Sequence, residues 1–166
     1  MIFMKFRFNY LVIPLIAILT AIFGSFFTSA NMSWYNSQLL KPALTPPSWV
    51  FPLAWTIIFI LTAVSALIFW NHQPFTLSVS KIVKRRKLIV ILLLINASLN
   101  VLWSWLFFKR HLILPALFEM IVLELTTIMV IFIGWKISKL SSLLLLPYVL
   151  WVGFAAYLTY LIYQLN

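Results

Sequence analysis

The chain of 166 residues is 64% apolar and 17% aromatic, with twelve Lys and Arg against two acids and no cysteine. This composition places it in the membrane class, and the missing thiols exclude disulfides, thiolate nucleophiles and Cys-based metal sites. A formal charge of +10 would suit a nucleic-acid partner, but the basic residues sit at segment ends and in loops, as topology signals do, so no nucleic acid is expected.

Five apolar stretches can be marked, over residues 10–27, 50–70, 88–108, 112–135 and 143–163. Each is near the roughly 20 residues a helix needs to cross about 30 Å of hydrocarbon. Short connections favour antiparallel neighbours, so the expected fold is an all-α membrane protein, a single domain built as a bundle of five transmembrane helices. The first stretch follows Lys5 and Arg7 and ends before Thr28-Ser29-Ala30, which resembles a secretory signal with a small-residue cleavage site. Its length favours a retained span, and Ala17, Ala21 and Ser25 offer a small-residue face for close helix approach.

The connection from Trp34 to Trp55 reads WYNSQLLKPALTPPSWVFPLAW, with three tryptophans, a tyrosine, four prolines and one lysine. Stiff, half-polar rings on a restricted backbone suit a segment folded over an opening between helices. Thr45-Pro46-Pro47-Ser48 marks the start of the second span, and Pro52 in its first turns predicts a bent or irregular beginning. Trp55, about a turn inside, faces either the bundle interior or the interfacial aromatic belt.

In the third span Asn96, Asn100, Trp103 and Phe107 recur at i, i+4, i+7 and i+11, placing two amides and two rings on one face. Amides facing lipid are costly, so this stripe faces protein or a cavity, as inter-helix glue, ligand contact or both. Glu119 and Glu124 in the fourth span are the chain's only acids. Five residues apart on a helix they diverge by about 140°, which argues against a paired-carboxylate active site. A structural hydrogen bond, or a contact with a loop Lys or Arg, is the expected role of Glu119. In the fifth span Tyr148, Trp151, Ala155 and Leu158 share a face beside Gly153 and Ala156, leaving a gap for a planar ligand or a packed helix. His72 and His111 lie in loops and are read as solvated, and no metal site is expected.

Nine basic residues (Lys5, Arg7, Lys81, Lys84, Arg85, Arg86, Lys87, Lys136 and Lys139) fall on one side of this five-span arrangement, and Lys41, Lys109 and Arg110 on the other. The excess puts the N-terminus on the cytoplasmic side and the Trp-rich connector opposite. The run from Lys81 to Lys87 is read as a topology anchor, with contact to anionic lipid the alternative. No Gly-rich phosphate loop, G-x-S-x-G elbow or H-E-x-x-H motif occurs, so conventional kinase and hydrolase readings fail. The duplicated, broken helices of many secondary transporters are absent as well.

Trp34-Tyr35, Lys41-Pro42, Pro46-Pro47-x-Trp49-Val50-Phe51, Trp55, Asn100-x-x-Trp103, Phe107-Phe108 and Leu146-Pro147-Tyr148-x-x-Trp151-x-x-Phe154-Ala155 together resemble the signature of the TspO/MBR family. The resemblance spans nearly the whole chain. It implies a five-helix bundle, commonly a homodimer, whose cavity opens toward the first long connector and binds porphyrins and drug-like ligands. Carried over by motif, Tyr35, Pro46, Trp49, Trp55, Asn96, Asn100, Trp103, Trp151 and Ala155 would line that cavity. Phe107 and Tyr148 join the expected ligand-binding set through the aromatic faces of the third and fifth spans. Trp55 and Trp151 match tryptophans linked, in bacterial relatives, to light-dependent porphyrin breakdown, and Glu119 matches a position where an acid is usual.

The chain departs from the family pattern in places. Leu53 stands where proline is usual, with Pro52 before it, the connector is one residue longer between Tyr35 and Lys41, and Thr159 replaces an asparagine. The cholesterol motif near Tyr160 lacks its closing Lys or Arg, which counts against sterol recognition. The expected function is that of a binding and sensory protein in the cell membrane, taking protoporphyrin IX or haem as a ligand and requiring no cofactor. The alternatives are light- and oxygen-dependent porphyrin degradation, with Trp55 and Trp151 as the participating rings, and transport of porphyrin or another apolar solute.

Overall fold

The computed structural model describes residues 8–75 and 77–166, so Lys5 and Arg7, counted above toward the basic side, lie outside the described residues. Five helical spans are long and apolar enough to cross a membrane, and no strand occurs among the described residues. In chain order the helices are α1 (Asn9–Ala30), α2 (Met32–Ser37), α3 (Val50–Asn71), α4 (Val79–Ser104), α5 (Ile113–Trp135), α6 (Lys139–Leu143) and α7 (Leu146–Leu165), with one π-helical turn over Trp105–Lys109. α1 packs against α3 and α4, α4 against α5, and α5 against α7, while α3 touches α7 more lightly. The spans therefore close into a ring in the order α1, α3, α7, α5, α4.

The spans match the expected stretches, with three informative differences. α4 begins at Val79, nine residues before the apolar run at Leu88, because Lys and Arg are good helix formers and extend the helix past the hydrocarbon limit. The fifth stretch is divided into α6 and α7. Pro147 sits in the first turn of α7, where it fits, but it disfavours helical geometry before it. Ser138 caps α6, its Oγ accepting from Ser141 N at 3.3 Å. Finally, α3 runs unbroken from Val50, without the irregular start predicted from Pro52. The proline lies in the first turn, where its missing N–H has no intrahelical acceptor to lose.

Polar contacts pin one end of the bundle. At the basic end, Arg85 Nη1 donates to Ile133 O at 3.0 Å, and Arg86 donates through Nε to Phe69 O at 3.2 Å and through Nη2 to His72 O at 2.6 Å. These guanidinium groups satisfy carbonyls at the C-terminal ends of α5 and α3 that have no helical partner. Ser65 Oγ donates to Ser141 O at 2.8 Å and Ser142 Oγ to Ile131 O at 3.1 Å, which fixes α6 to α3 and α5. In α1, a Cβ added to Gly24 would lie 3.4 Å from Ser104 Oγ. Gly24 thus marks a close approach of α1 to α4, allowed by the lack of a side chain.

Candidate functional site

The amides of the α4 stripe are buried and make the centre of a polar network between helices. Asn96 Nδ2 donates to Thr126 Oγ1 and Thr127 Oγ1 of α5, each at 3.0 Å, and Tyr148 OH of α7 donates to Asn96 Oδ1 at 2.7 Å. Asn100 Nδ2 reaches Asn96 O at 2.9 Å and also donates to the Tyr148 hydroxyl. Both amides thus serve as inter-helix glue, joining α4, α5 and α7, because an amide at this depth needs partners and lipid supplies none. Thr126 and Thr127 were missed from the sequence, since nothing in the local pattern of α5 signals a partner on another helix.

On the connector side of this network the rings converge. Trp55 lies 6.1 Å from Tyr148 edge to face, 6.3 Å from Trp103 and 5.6 Å from Phe59, on which it stacks. Trp103 stacks on Phe107 at 5.6 Å, and Trp151 meets Phe51 edge to face at 5.9 Å. Trp55, Trp103 and Trp151 all pack against one buried cluster of Ile58, Met120, Leu123, Tyr148, Val152 and Ala155. Trp55 therefore faces the bundle interior. Phe51 and Phe59 belong to this aromatic wall although the sequence reading left them out of the binding set; their spacing of four from Trp55 was the available signal.

Several polar atoms in this region have no hydrogen-bond partner among the described residues. They are Nε1 of Trp103 and Trp151 and both carboxyl oxygens of Glu119, which is only 6% exposed. Neither the structural hydrogen bond nor the contact with a loop Lys or Arg expected of Glu119 forms among the described residues. Glu119 lies about 9 Å along α5 from its first residue, whereas Lys109 is exposed and Arg110 lies over the Trp105 ring at 5.4 Å. Glu124 is oriented elsewhere, its Oε1 beside Gly153 of α7. Thr159, at the position where the family has asparagine, donates to Ala155 O at 2.8 Å and toward Met120 Sδ at 3.6 Å.

The connector covers one end of the bundle. Tyr35 of α2 is buried with Leu39, Phe107, Phe108, Ala116, Leu158 and Ile162, and burial raises its phenol above the ordinary value. Lys41 Nζ lies 4.8 Å above the Tyr35 ring and donates to Tyr35 O at 3.0 Å and Asn36 O at 3.3 Å, capping α2. Trp34 stacks on His111 at 3.9 Å, and His111 is an exposed loop residue, as expected from sequence, whose ring also serves as a packing partner. The Asn166 side chain pairs with both Leu40 N and Leu40 O at 3.0 Å. Pro46 is half-buried and Trp49 is 64% exposed, so Trp49 stands at the start of α3 outside the ring cluster.

A cavity of about 440 Å³ lies on the other side of the polar network, between α1, α3 and α4. Three of the expected binding residues, Asn96, Asn100 and Tyr148, line its inner end together with Phe59, and Arg86 and Trp70 line its basic end. The expected residues are thus brought together in two groups, one around Trp55, Trp103, Trp151 and Ala155 and one around Tyr35 and Phe107, which Trp103 bridges.

The TspO/MBR family profile matches residues 12–165. The chain belongs to the TspO/MBR family. It is 37% identical over 145 residues to the tryptophan-rich protein TspO of Chlorobaculum tepidum, covering 86% of each chain. With the tryptophan-rich protein TspO of Archaeoglobus fulgidus it shares 36% identity over 157 residues, covering 94% of this chain and 96% of the relative. The human translocator protein is 25% identical over 139 residues, 82% of this chain and 76% of the relative. With its five apolar helices, this TspO/MBR chain is an integral membrane protein. Its family motifs fall on the connector, the inner faces of α3 and α4, and α7, the elements that build the ring cluster.

Proposed function

We propose that this TspO/MBR protein is a binding and sensory protein that takes a porphyrin or a related planar apolar ligand into the aromatic site beneath the connector. The observation that carries this reading is the pair of buried indole N–H groups, on Trp103 and Trp151, left without partners within one aromatic cluster. Buried donors are normally paired, and those that are not call for an explanation such as a ligand. The ring faces of Trp55, Trp103 and Trp151 offer stacking, the indole N–H groups suit carbonyl or carboxylate acceptors, and Glu119 suits an N–H donor. A tetrapyrrole supplies all three features. The N-terminus faces the cytoplasm of a cell membrane in this reading, and the chain forms the homodimer that the family resemblance implies.

Titration of the detergent-solubilised protein with protoporphyrin IX, followed by tryptophan quenching, tests the reading. Saturable binding is expected, weakened at least tenfold by Trp55→Ala combined with Asn100→Ala. Absence of saturation, or unchanged affinity in the folded double variant, would overturn the site. The packing of Trp55 and Trp151 on the same cluster favours a second reading, in which light and oxygen degrade the bound porphyrin beside these rings. Illumination of the complex in air should then give less product with Trp55→Phe than with the unaltered protein; equal yield removes a role for that ring.

A further inference from the structure

The cavity at the basic end differs from the aromatic site in shape, lining and charge. It runs along α4 from Arg86 to Asn100, about 21 Å of helix, and its wall is almost entirely aliphatic and aromatic. Val12, Ile16, Ala63, Ala66, Leu93 and Ala97 make up its middle. Among the described residues, Arg86 is the only charged one in the lining. Its position is built, because its bonds to Phe69 O and His72 O hold the guanidinium across the gap between α3 and α4. Those two bonds engage Nε and Nη2, and a guanidinium carries five N–H donors, so donors remain for an anion. Thr62 Oγ1 and Asn9 Nδ2, both on lining residues, are buried without a partner among the described residues. Lys81, Lys84, Arg85 and Lys87 sit close by in sequence at the start of α4, adding to the positive potential at this end.

We propose that this cavity binds a single-chain anionic amphiphile, a long-chain fatty acid in chemical class, with its carboxylate on Arg86 and its tail directed toward the Asn100–Tyr148 network. A narrow apolar slot with one fixed cation at its end is complementary to one apolar chain with one terminal anion. A volume of about 440 Å³ lies toward the small end of the range for ligand sites, about 300–1,000 Å³, which disfavours a two-chain lipid. Single-chain acids enter from the bilayer with the headgroup at the interface, the level at which the start of α4 places Arg86.

The test uses the full chain in nanodiscs of zwitterionic phospholipid, with tritiated hexadecanoate as the probe. Saturable binding of one molecule per chain is expected, with hexadecanol competing at least tenfold less well. Arg86→Gln should weaken binding about tenfold, and Arg86→Lys should restore part of the loss. Ala66→Phe and, separately, Ala97→Phe fill the slot and should abolish hexadecanoate binding while protoporphyrin quenching and helical circular dichroism persist. Equal competition by hexadecanol, undiminished binding in Arg86→Gln, or full binding in both Phe variants would overturn the site. Competition by a two-chain phosphatidylglycerol as strong as that of hexadecanoate would overturn the single-chain assignment. The porphyrin readout fails or succeeds separately, because neither Arg86 nor Ala66 belongs to the aromatic cluster.

Discussion

The Tyr148 hydroxyl joins α7 to α4, donating to Asn96 Oδ1 and accepting from Asn100, in a network that Asn96 extends to α5. Tyr148→Phe keeps the ring that packs edge to face on Trp55 and removes only the hydroxyl. The lost bonds and the less satisfied amides should cost about 1–2 kcal/mol, read as a lower thermal midpoint in micelles. Trp103→Phe provides the contrast: its Nε1 has no partner among the described residues, so the change forfeits no hydrogen bond and acts through ring area alone. The Asn96–Asn100 stripe was legible in the sequence because helical spacing and the cost of amides in lipid both point inward. Its partners were not, since which hydroxyl of α5 or α7 meets an amide of α4 depends on how helices rotate against each other. The same ignorance led to the expectation of a structural hydrogen bond or a loop cation for Glu119, whose carboxyl oxygens have neither among the described residues.

At the level of elements, the five spans were readable from hydropathy to within a few residues, while their irregularities were not. The π turn at Trp105–Lys109 closes through Arg110 N to Trp105 O at 3.0 Å and is followed by Leu112 N to Leu106 O, also at 3.0 Å. With it, the consecutive rings Phe107 and Phe108 are both buried, beneath α2. In a regular α-helix successive side chains diverge by about 100° and only one of the two would face that cluster squarely. A single extra residue of this kind leaves no mark in the apolar pattern. The packing of α3 against the end of α5 is similarly silent in sequence. A methyl group on Gly134 would overlap the Phe69 ring, and Phe69 is enclosed with Ile89, Leu92, Val130, Ile137 and Leu145. Gly134→Ala should therefore destabilise by about 1–3 kcal/mol despite improving helix propensity. Thermal unfolding of that variant checks it, and Gly134→Ala combined with Phe69→Leu should recover part of the loss.

For the molecule as a whole, the alternation of spans places the ends of α1, α4 and α7 with the connector, and the start of α4 with the ends of α3 and α5. Seven of the described basic residues, Lys81, Lys84, Arg85, Arg86, Lys87, Lys136 and Lys139, lie at the second of these ends, against Lys41, Lys109 and Arg110 at the first. Arg85 and Arg86 are also structural there, since they cap the carbonyl ends of neighbouring helices, so topology and packing draw on the same charges. The orientation follows as a prediction that the absence of cysteine makes clean. Ser37 in α2 and Ser80 at the start of α4 are both exposed and lie at opposite ends of the bundle. In cells carrying Ser37→Cys, a membrane-impermeant maleimide added outside should label the protein, whereas Ser80→Cys should react only after the membrane is opened. The reverse pattern would turn the molecule over, putting the aromatic site beneath the connector on the cytoplasmic side and the Arg86 cavity in the outer leaflet. Because the connector and the Arg86 end lie at opposite ends of the bundle, this labelling fixes the side of the membrane on which each of the two proposed sites lies.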